Sequence, residues 1–217
     1  MKKIMFNDTF GLTAAVLDGS KTMTRRTIPL TDADEEYLDQ AFDWDLRESV
    51  ILDRYAKYNV GERVAIAQTY KDCGYKPEDI LENVDGGYSY ARDLAGYTNK
   101  MFVQSMHMIN FIEFTGRKIE RLQDISKEDC LKEGLDDDSA EGAHLYWYSV
   151  PTNLPNWRAL SDKVMRHEWN GEKGCWFWDT AQGAFSALIN AVCGKGTWEQ
   201  NPWVIAYSFK LQKGALA

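Results

Sequence analysis

The sequence predicts an α+β protein: a small mixed β-sheet or barrel decorated with helices. Strand-like runs outnumber helical ones, and crossover helices do not separate them regularly, which argues against a doubly wound parallel sheet. A composition of 44% hydrophobic and 27% charged residues belongs to a folded globular chain. At 217 residues the chain has room for one enlarged domain or two small ones.

The elements follow in order. Residues 3–6 read as a short strand, and Asp8 or Thr9 is the expected cap of a helix running to Asp18, with Leu12, Ala15 and Val16 facing inward. Gly19 suits the left-handed residue that ends it. Residues 31–58 are acidic and helix-prone. The run from Gly61 to Tyr70 reads as a turn into a strand, and residues 71–100 as a long loop with one short helix. Residues 101–122 alternate as strands do, with a turn expected at Thr115-Gly116-Arg117-Lys118. Ser126 to Asp129 resembles a capping box before a short helix ending at Glu133-Gly134. Residues 135–179, with Trp147, Trp157, Trp169, Trp176 and Trp178 among prolines and glycines, read as irregular. Thr180 caps an amphipathic helix with Ala184, Phe185, Leu188, Ile189 and Val192 on one stripe, stopped by Gly194. A last strand begins at Trp203.

Charge narrows the function. Lys plus Arg minus Asp plus Glu is 25 − 33 = −8, so bulk DNA binding through the overall field is not expected, and any nucleic acid needs a local basic patch. The longest apolar runs are far short of the roughly 20 residues a membrane span needs. The start, Met1-Lys2-Lys3-Ile4-Met5-Phe6-Asn7-Asp8, turns polar too soon for a signal peptide, so a soluble cytoplasmic protein is expected. Cys73, Cys130, Cys175 and Cys193 contain no C-x-x-C pair, and His107, His144 and His167 are scattered. Reduced, mostly buried thiols and no metal or other cofactor are the expectation. The run Asp136-Asp137-Asp138 lacks the Gly and Glu of a calcium loop and reads as solvated. No phosphate loop, dinucleotide fingerprint, G-x-S-x-G or H-E-x-x-H is present.

Two places carry candidate chemistry. Lys21, Thr24, Arg25 and Arg26 form a basic cluster after a helix end. A Thr hydroxyl is a weak nucleophile that needs a base, and a neutral Lys supplies one. On a straight strand, however, residues 21 and 24 face opposite ways, so their cooperation requires a turn or bulge. Without one, the cluster is a solvated basic edge. Glu133, at the unfavourable end of a helix dipole, is either exposed or held for a purpose, and local evidence alone favours exposure. The eight tryptophans read as packing before base stacking.

Gly19-Ser20-Lys21-Thr22-Met23-Thr24-Arg25-Arg26 resembles the G-x-K-x-x-[T/E]-x-R signature of the ASCH domain family in the PUA-like superfamily. In the same order, Gly61-Glu62-Arg63-Val64 resembles that family's turn into its next barrel strand, and Ile125 to Gly134 its short helix ending in Glu-Gly. The ending Thr197-Trp198-Glu199-Gln200-Asn201-Pro202-Trp203 is similar to ASCH-like proteins of phages and their bacterial hosts. The resemblance implies a single PUA-like β-barrel domain over 1–217, with insertions at about 31–58, 71–100 and 135–179 and a cleft for RNA or a modified nucleoside. It also implies a metal-independent amidohydrolase that removes the acetyl group of N4-acetylcytidine. Lys21 would then take the proton of Thr24, and Thr24 would attack the acyl carbon. Glu133 would protonate the departing amine or activate water, while Arg25 and Arg26 would hold substrate. The alternative is a non-catalytic RNA or single-stranded nucleic-acid module, drawing on Lys21, Arg25 and Arg26 with Arg117, Lys118 and Arg121.

Overall fold

Two sheets organise the backbone in the computed structural model, which describes residues 1–40, 43–76, 95–137, 146–150, 165–167 and 174–213. The first has five strands in the order β1 (Lys3–Ile4), β3 (Arg63–Ile66), β4 (Asn110–Arg121), β9 (Trp203–Lys213), β2 (Met23–Thr27). It is mixed: β1 runs parallel to β3, while β3–β4 and β2–β9 are antiparallel. Among the described residues this sheet is open, with β1 and β2 at its edges. The second is an antiparallel sheet in the order β5 (Asp136–Asp137), β6 (Tyr146–Val150), β8 (Gly174–Trp178), β7 (Met165–His167). The chain is therefore α+β with a mixed sheet, as its strand-rich pattern predicts. The described part of the Trp-rich stretch is ordered into strands and is not irregular, because regular pairing satisfies its backbone groups. Trp157 and Trp169 lie outside the described residues.

The chain divides into two compact units. The first comprises Met1–Phe6, Glu62–Glu113 and Leu211–Ala217. Its core gathers Ala65, Cys73, Val103 and Met108 under Tyr70, Tyr75, Ile109 and Phe111. The short helix α4 (Ala95–Thr98) needs a glycine at 96, where a Cβ would lie 2.5 Å from the Tyr70 ring. Within the expected long loop of 71–100, the described residues include the short helix α4, and residues 77–94 lie outside the described set. Lys3 Nζ fixes the turn that follows by donating to the carbonyls of Met101 at 2.6 Å and Val103 at 2.8 Å.

The second unit comprises Asn7–Gly61 and Phe114–Lys210. Its helix α1 (Leu12–Asp18) buries Leu12 and Val16. Neither Asp8 nor Thr9 caps it: the cap is Gly11 at φ 68°, because Asn7 instead accepts from the Thr9 and Leu12 amides and turns the chain first. Gly19, at φ 89°, ends the helix in the left-handed region that favours glycine. Residues 31–58 form α2 (Asp32–Asp39), opened by a Thr31–Asp34 capping box, and α3 (Trp44–Tyr55), capped by Asp43. Tyr58 stacks on Phe114 at 4.6 Å, and Tyr207 meets Phe114 at 5.4 Å. Each such buried ring contributes roughly 1.5–3 kcal/mol by leaving water.

No turn interrupts β4 at Thr115 to Lys118; the strand runs through to Arg121. A strand flanked by partners has its ladder supplied, which outweighs one glycine's turn preference, and Arg117 reaches Asn59 at 2.8 Å from within the strand. Ser126 caps α5 (Lys127–Lys132), and Thr180 caps α6 (Ala181–Cys193), which buries Ala184, Phe185 and Leu188 and stops at Gly194. Helix α7 (Thr197–Gln200) leads into β9. Cys73 and Cys130 are buried as expected, but Cys193 is exposed at the end of α6. Asp136 and Asp137 are exposed in β5 rather than in a loop, and Asp138 lies outside the described residues. Among the described residues, no helix is long and apolar enough to cross a membrane.

Candidate active site

The site lies in the second unit, where the start of β2 meets the end of α5. Gly19 turns the chain out of α1, and the Lys21 amide then donates to the Ala15 carbonyl at 2.8 Å. The next amide, of Thr22, donates to the Lys132 carbonyl at 2.8 Å, which ties this segment to the last turn of α5. Glu133 caps α5 at its C-terminus, and Gly134 follows at φ 94°. A Cβ on Gly134 would lie 3.3 Å from the Cβ of Lys21, so the close approach of the two segments uses the missing side chain.

Lys21 is buried, and its Nζ donates to the Glu133 carbonyl at 2.8 Å and to Glu133 Oε2 at 2.5 Å. Burial pushes the amine's pKa below its ordinary value, outweighing the upward pull of the Glu133 charge and hydrogen bond; Arg26 and Arg25 add to the fall. Glu133 is only 5% exposed, so a carboxylate that local reasoning would leave in water is held inside. Its second oxygen, Oε1, accepts from Arg25 Nη1 at 3.0 Å.

Arg25 is buried in turn. Its Nε donates to Glu120 Oε1 at 2.7 Å and its Nη2 to Asp129 Oδ2 at 3.1 Å, while Phe185 of α6 lies under the guanidinium at 6.0 Å. Burial opposes this charge, but Glu133 and Glu120 outweigh it and hold the group above its usual pKa. The reading of Arg25 as a substrate grip therefore meets a guanidinium whose three nitrogens each hold an internal carboxylate, with Nη1 also donating to Met23 Sδ at 3.3 Å. Glu120 and Asp129 thus join Glu133 as carboxylates around Arg25. Asp129 is also held by Lys118 at 3.1 Å and Lys132 at 3.1 Å. These hydrogen bonds and the Arg25 charge outweigh the upward push of its burial and keep its carboxyl below the ordinary value. Cys130 is pushed up to about 12 by burial and is an inert thiol.

Thr24 is buried on β2, in register with Tyr207. The β2–β9 register runs unbroken from Met23 to Thr27, and the Phe209 amide continues it to the Thr22 carbonyl. The chain bends at Gly19, ahead of Lys21, but the turn or bulge that would bring residues 21 and 24 to one side is not found, because the pairing runs regularly from 22 to 27. Alternation turns Thr24 and Arg26 to one face of β2 and Met23 and Arg25 to the other. The structure unites Lys21, Glu133 and Arg25 and leaves the Thr24 hydroxyl outside their hydrogen bonds. Arg26 is exposed. A solvated basic edge does not describe this segment, because Lys21, Thr24 and Arg25 are each at most 6% exposed.

Glu120 and Asp129 are the residues that sequence reasoning missed. Asp129 carried a signal as the third helical residue of the capping box, but its side chain turns to Arg25 instead of closing that box. No group of three or more His, Cys, Asp or Glu among the described residues is arranged to hold a metal ion. Compared with known proteins, the chain matches no protein family, no curated protein and no solved structure.

Proposed function

We propose that this protein is an amidohydrolase of the ASCH, PUA-like kind, acting on an acylated nucleoside such as N4-acetylcytidine. One observation carries the reading: the sealed Lys21 amine, its pKa lowered, with two hydrogen bonds given to one residue, Glu133. A neutral amine has two hydrogens and one lone pair. In that neutral form, with both hydrogens turned to Glu133, the lone pair would be left to take the proton of a hydroxyl.

In the proposed reaction Thr24 Oγ attacks the acyl carbon as its proton passes to Lys21 Nζ. The C–N bond then breaks, and the N4 nitrogen leaves with that proton, which frees cytidine and leaves an acyl ester on Thr24. Water attacks the ester with Glu133 as its base, releasing acetate and restoring the hydroxyl. Arg26, which strand alternation puts on the Thr24 face, takes the acyl oxygen. Alternation sets Thr24 and Arg25 on opposite faces of β2. The reaction therefore asks the segment from Lys21 to Thr24 to rearrange when substrate binds, and not only a hydrogen bond to tighten.

The RNA-module reading draws less support. At least five of its six basic side chains already face acids: Lys21 and Arg25 in the buried cluster, Lys118 on Glu120 at 2.8 Å, Arg117 on Asp53 at 3.3 Å and Arg121 on Asp39 at 3.6 Å. Phosphate binding rests on cations that neutralise phosphates, and here the acids compete for them. The test is chromatographic. Purified protein incubated with N4-acetylcytidine releases cytidine, and Lys21→Ala and Thr24→Ala abolish the release. Equal background from all three proteins overturns the proposal.

A further inference from the structure

The proposed chemistry asks one carboxylate to serve an amine that must stay neutral, although a bare carboxylate beside an amine favours its charged form. The cluster around Glu133 resolves this. Glu133 Oε2 lies 2.5 Å from Lys21 Nζ, and its Oε1 lies 3.0 Å from Arg25 Nη1. Arg25 is not free to swing toward Lys21, because Glu120 holds Nε and Asp129 holds Nη2. Those two acids are themselves steadied from outside by the half-exposed Lys118, which bridges them at 2.8 and 3.1 Å.

We infer that Arg25 is a positioning residue: pinned by Glu120 and Asp129, it takes Oε1 of Glu133, turns Oε2 to Lys21, and offsets the carboxylate's charge so that Lys21 remains a base. This rests on the reading of Lys21 as a base. A planar guanidinium is suited to the role, since its fork meets three carboxylates in fixed directions where an ammonium offers one point charge. Lys21 Nζ touches Glu133 from the end of α5, and the charges of Arg25 and Arg26 on β2 act on it electrostatically. The Glu133 charge also raises the pKa values of the Cys130 thiol of α5 and the Cys193 thiol of α6, each already pushed up by burial. Burial is the main cause of the lowered pKa of Lys21, and the Arg25 charge adds to the fall in the direction this role requires.

The experiment follows the Lys21 side chain by NMR in full-length protein carrying isotope-labelled lysine. The signal is assigned by its loss in Lys21→Met and titrated in wild type, Arg25→Gln and Glu120→Gln. Arg25→Gln raises the Lys21 midpoint by about one pH unit, because Glu133 then acts on Lys21 alone. Glu120→Gln does not raise it, because Arg25 keeps its charge and is freer to meet Glu133. Unfolding would carry both variants toward the ordinary lysine value, so the two signs separate positioning from loss of structure. An unchanged midpoint in Arg25→Gln, or an equal rise in both variants, overturns the inference. The acid limb of the N4-acetylcytidine rate profile moves with the same midpoint. If no substrate is hydrolysed while the NMR midpoints move as stated, the amidohydrolase reading fails and the role of Arg25 stands.

Discussion

Lys21 and Glu133, 112 positions apart in sequence, meet at 2.5 Å with side chains only 2% and 6% exposed. Such a contact joins the segment after α1 to the end of α5, and its partners are not interchangeable. Glu133 meets two basic side chains, Lys21 and Arg25, whereas Lys21 meets one acid.

That asymmetry predicts unequal costs. Glu133→Ala leaves Lys21 and Arg25 buried together without their shared acid, which costs about 3–5 kcal/mol. Lys21→Met removes a desolvated amine, keeps much of its packing and leaves Glu133 compensated by Arg25, so its cost is much smaller. Denaturant unfolding of the two variants checks this. Equal losses would contradict the view that Arg25 shares the carboxylate.

Glycine substitutions separate backbone strain from crowding. Gly19→Ala meets no atom within 4 Å and carries only the left-handed penalty of about 1–2 kcal/mol. Gly134→Ala carries the same penalty and also sets a Cβ 3.3 Å from Lys21 and 3.4 Å from Ala15. It therefore unfolds at lower denaturant than Gly19→Ala and disturbs the Lys21 titration, which Gly19→Ala leaves closer to wild type. The opposite order would mean that the two segments do not approach as described.

The pH dependence of stability has a definite sign. Lys21 titrates lower in the folded protein than the value near 10.4 of an unfolded lysine. Between those two values the unfolded chain holds more protons, so stability rises with pH, and Lys21's penalty is present in full below the folded value. The difference in unfolding free energy between wild type and Lys21→Met therefore changes in favour of wild type as pH rises toward about 10.4. A difference that is flat with pH would show an unshifted amine. At the acid end, Asp129 is held low, so its contribution is present above about 3.9 and fades as pH falls through its folded value. Asp129→Asn removes that acid-side loss.

Signals that act over a few residues translated well into structure. Gly19 ends α1, Ser126 and Thr180 cap α5 and α6, and Gly194 stops α6, because caps and left-handed residues depend on their own backbone. The motif resemblance paired Lys21 with Glu133 across 112 positions, a contact that spacing alone would not have found. What stayed hidden depends on distant partners. The unbroken β4 needs its neighbours in the sheet, and the pairing of β6 with β8 needs residues far along the chain. The acids around Arg25 come from β4 and α5, and neither alternation nor helical period encodes their meeting. Thr24 shows the remaining gap: the motif names it, yet its hydroxyl stands outside the Lys21–Glu133 hydrogen bonds.

The most direct test of the hydrolase account therefore changes that hydroxyl alone. Thr24→Ser and Thr24→Ala are compared with wild type for cytidine release from N4-acetylcytidine, with folding of each checked by thermal unfolding. The account predicts that serine, which keeps the nucleophile, retains hydrolysis, while alanine falls to the uncatalysed background. A folded Thr24→Ala protein that hydrolyses the substrate as fast as wild type would contradict it.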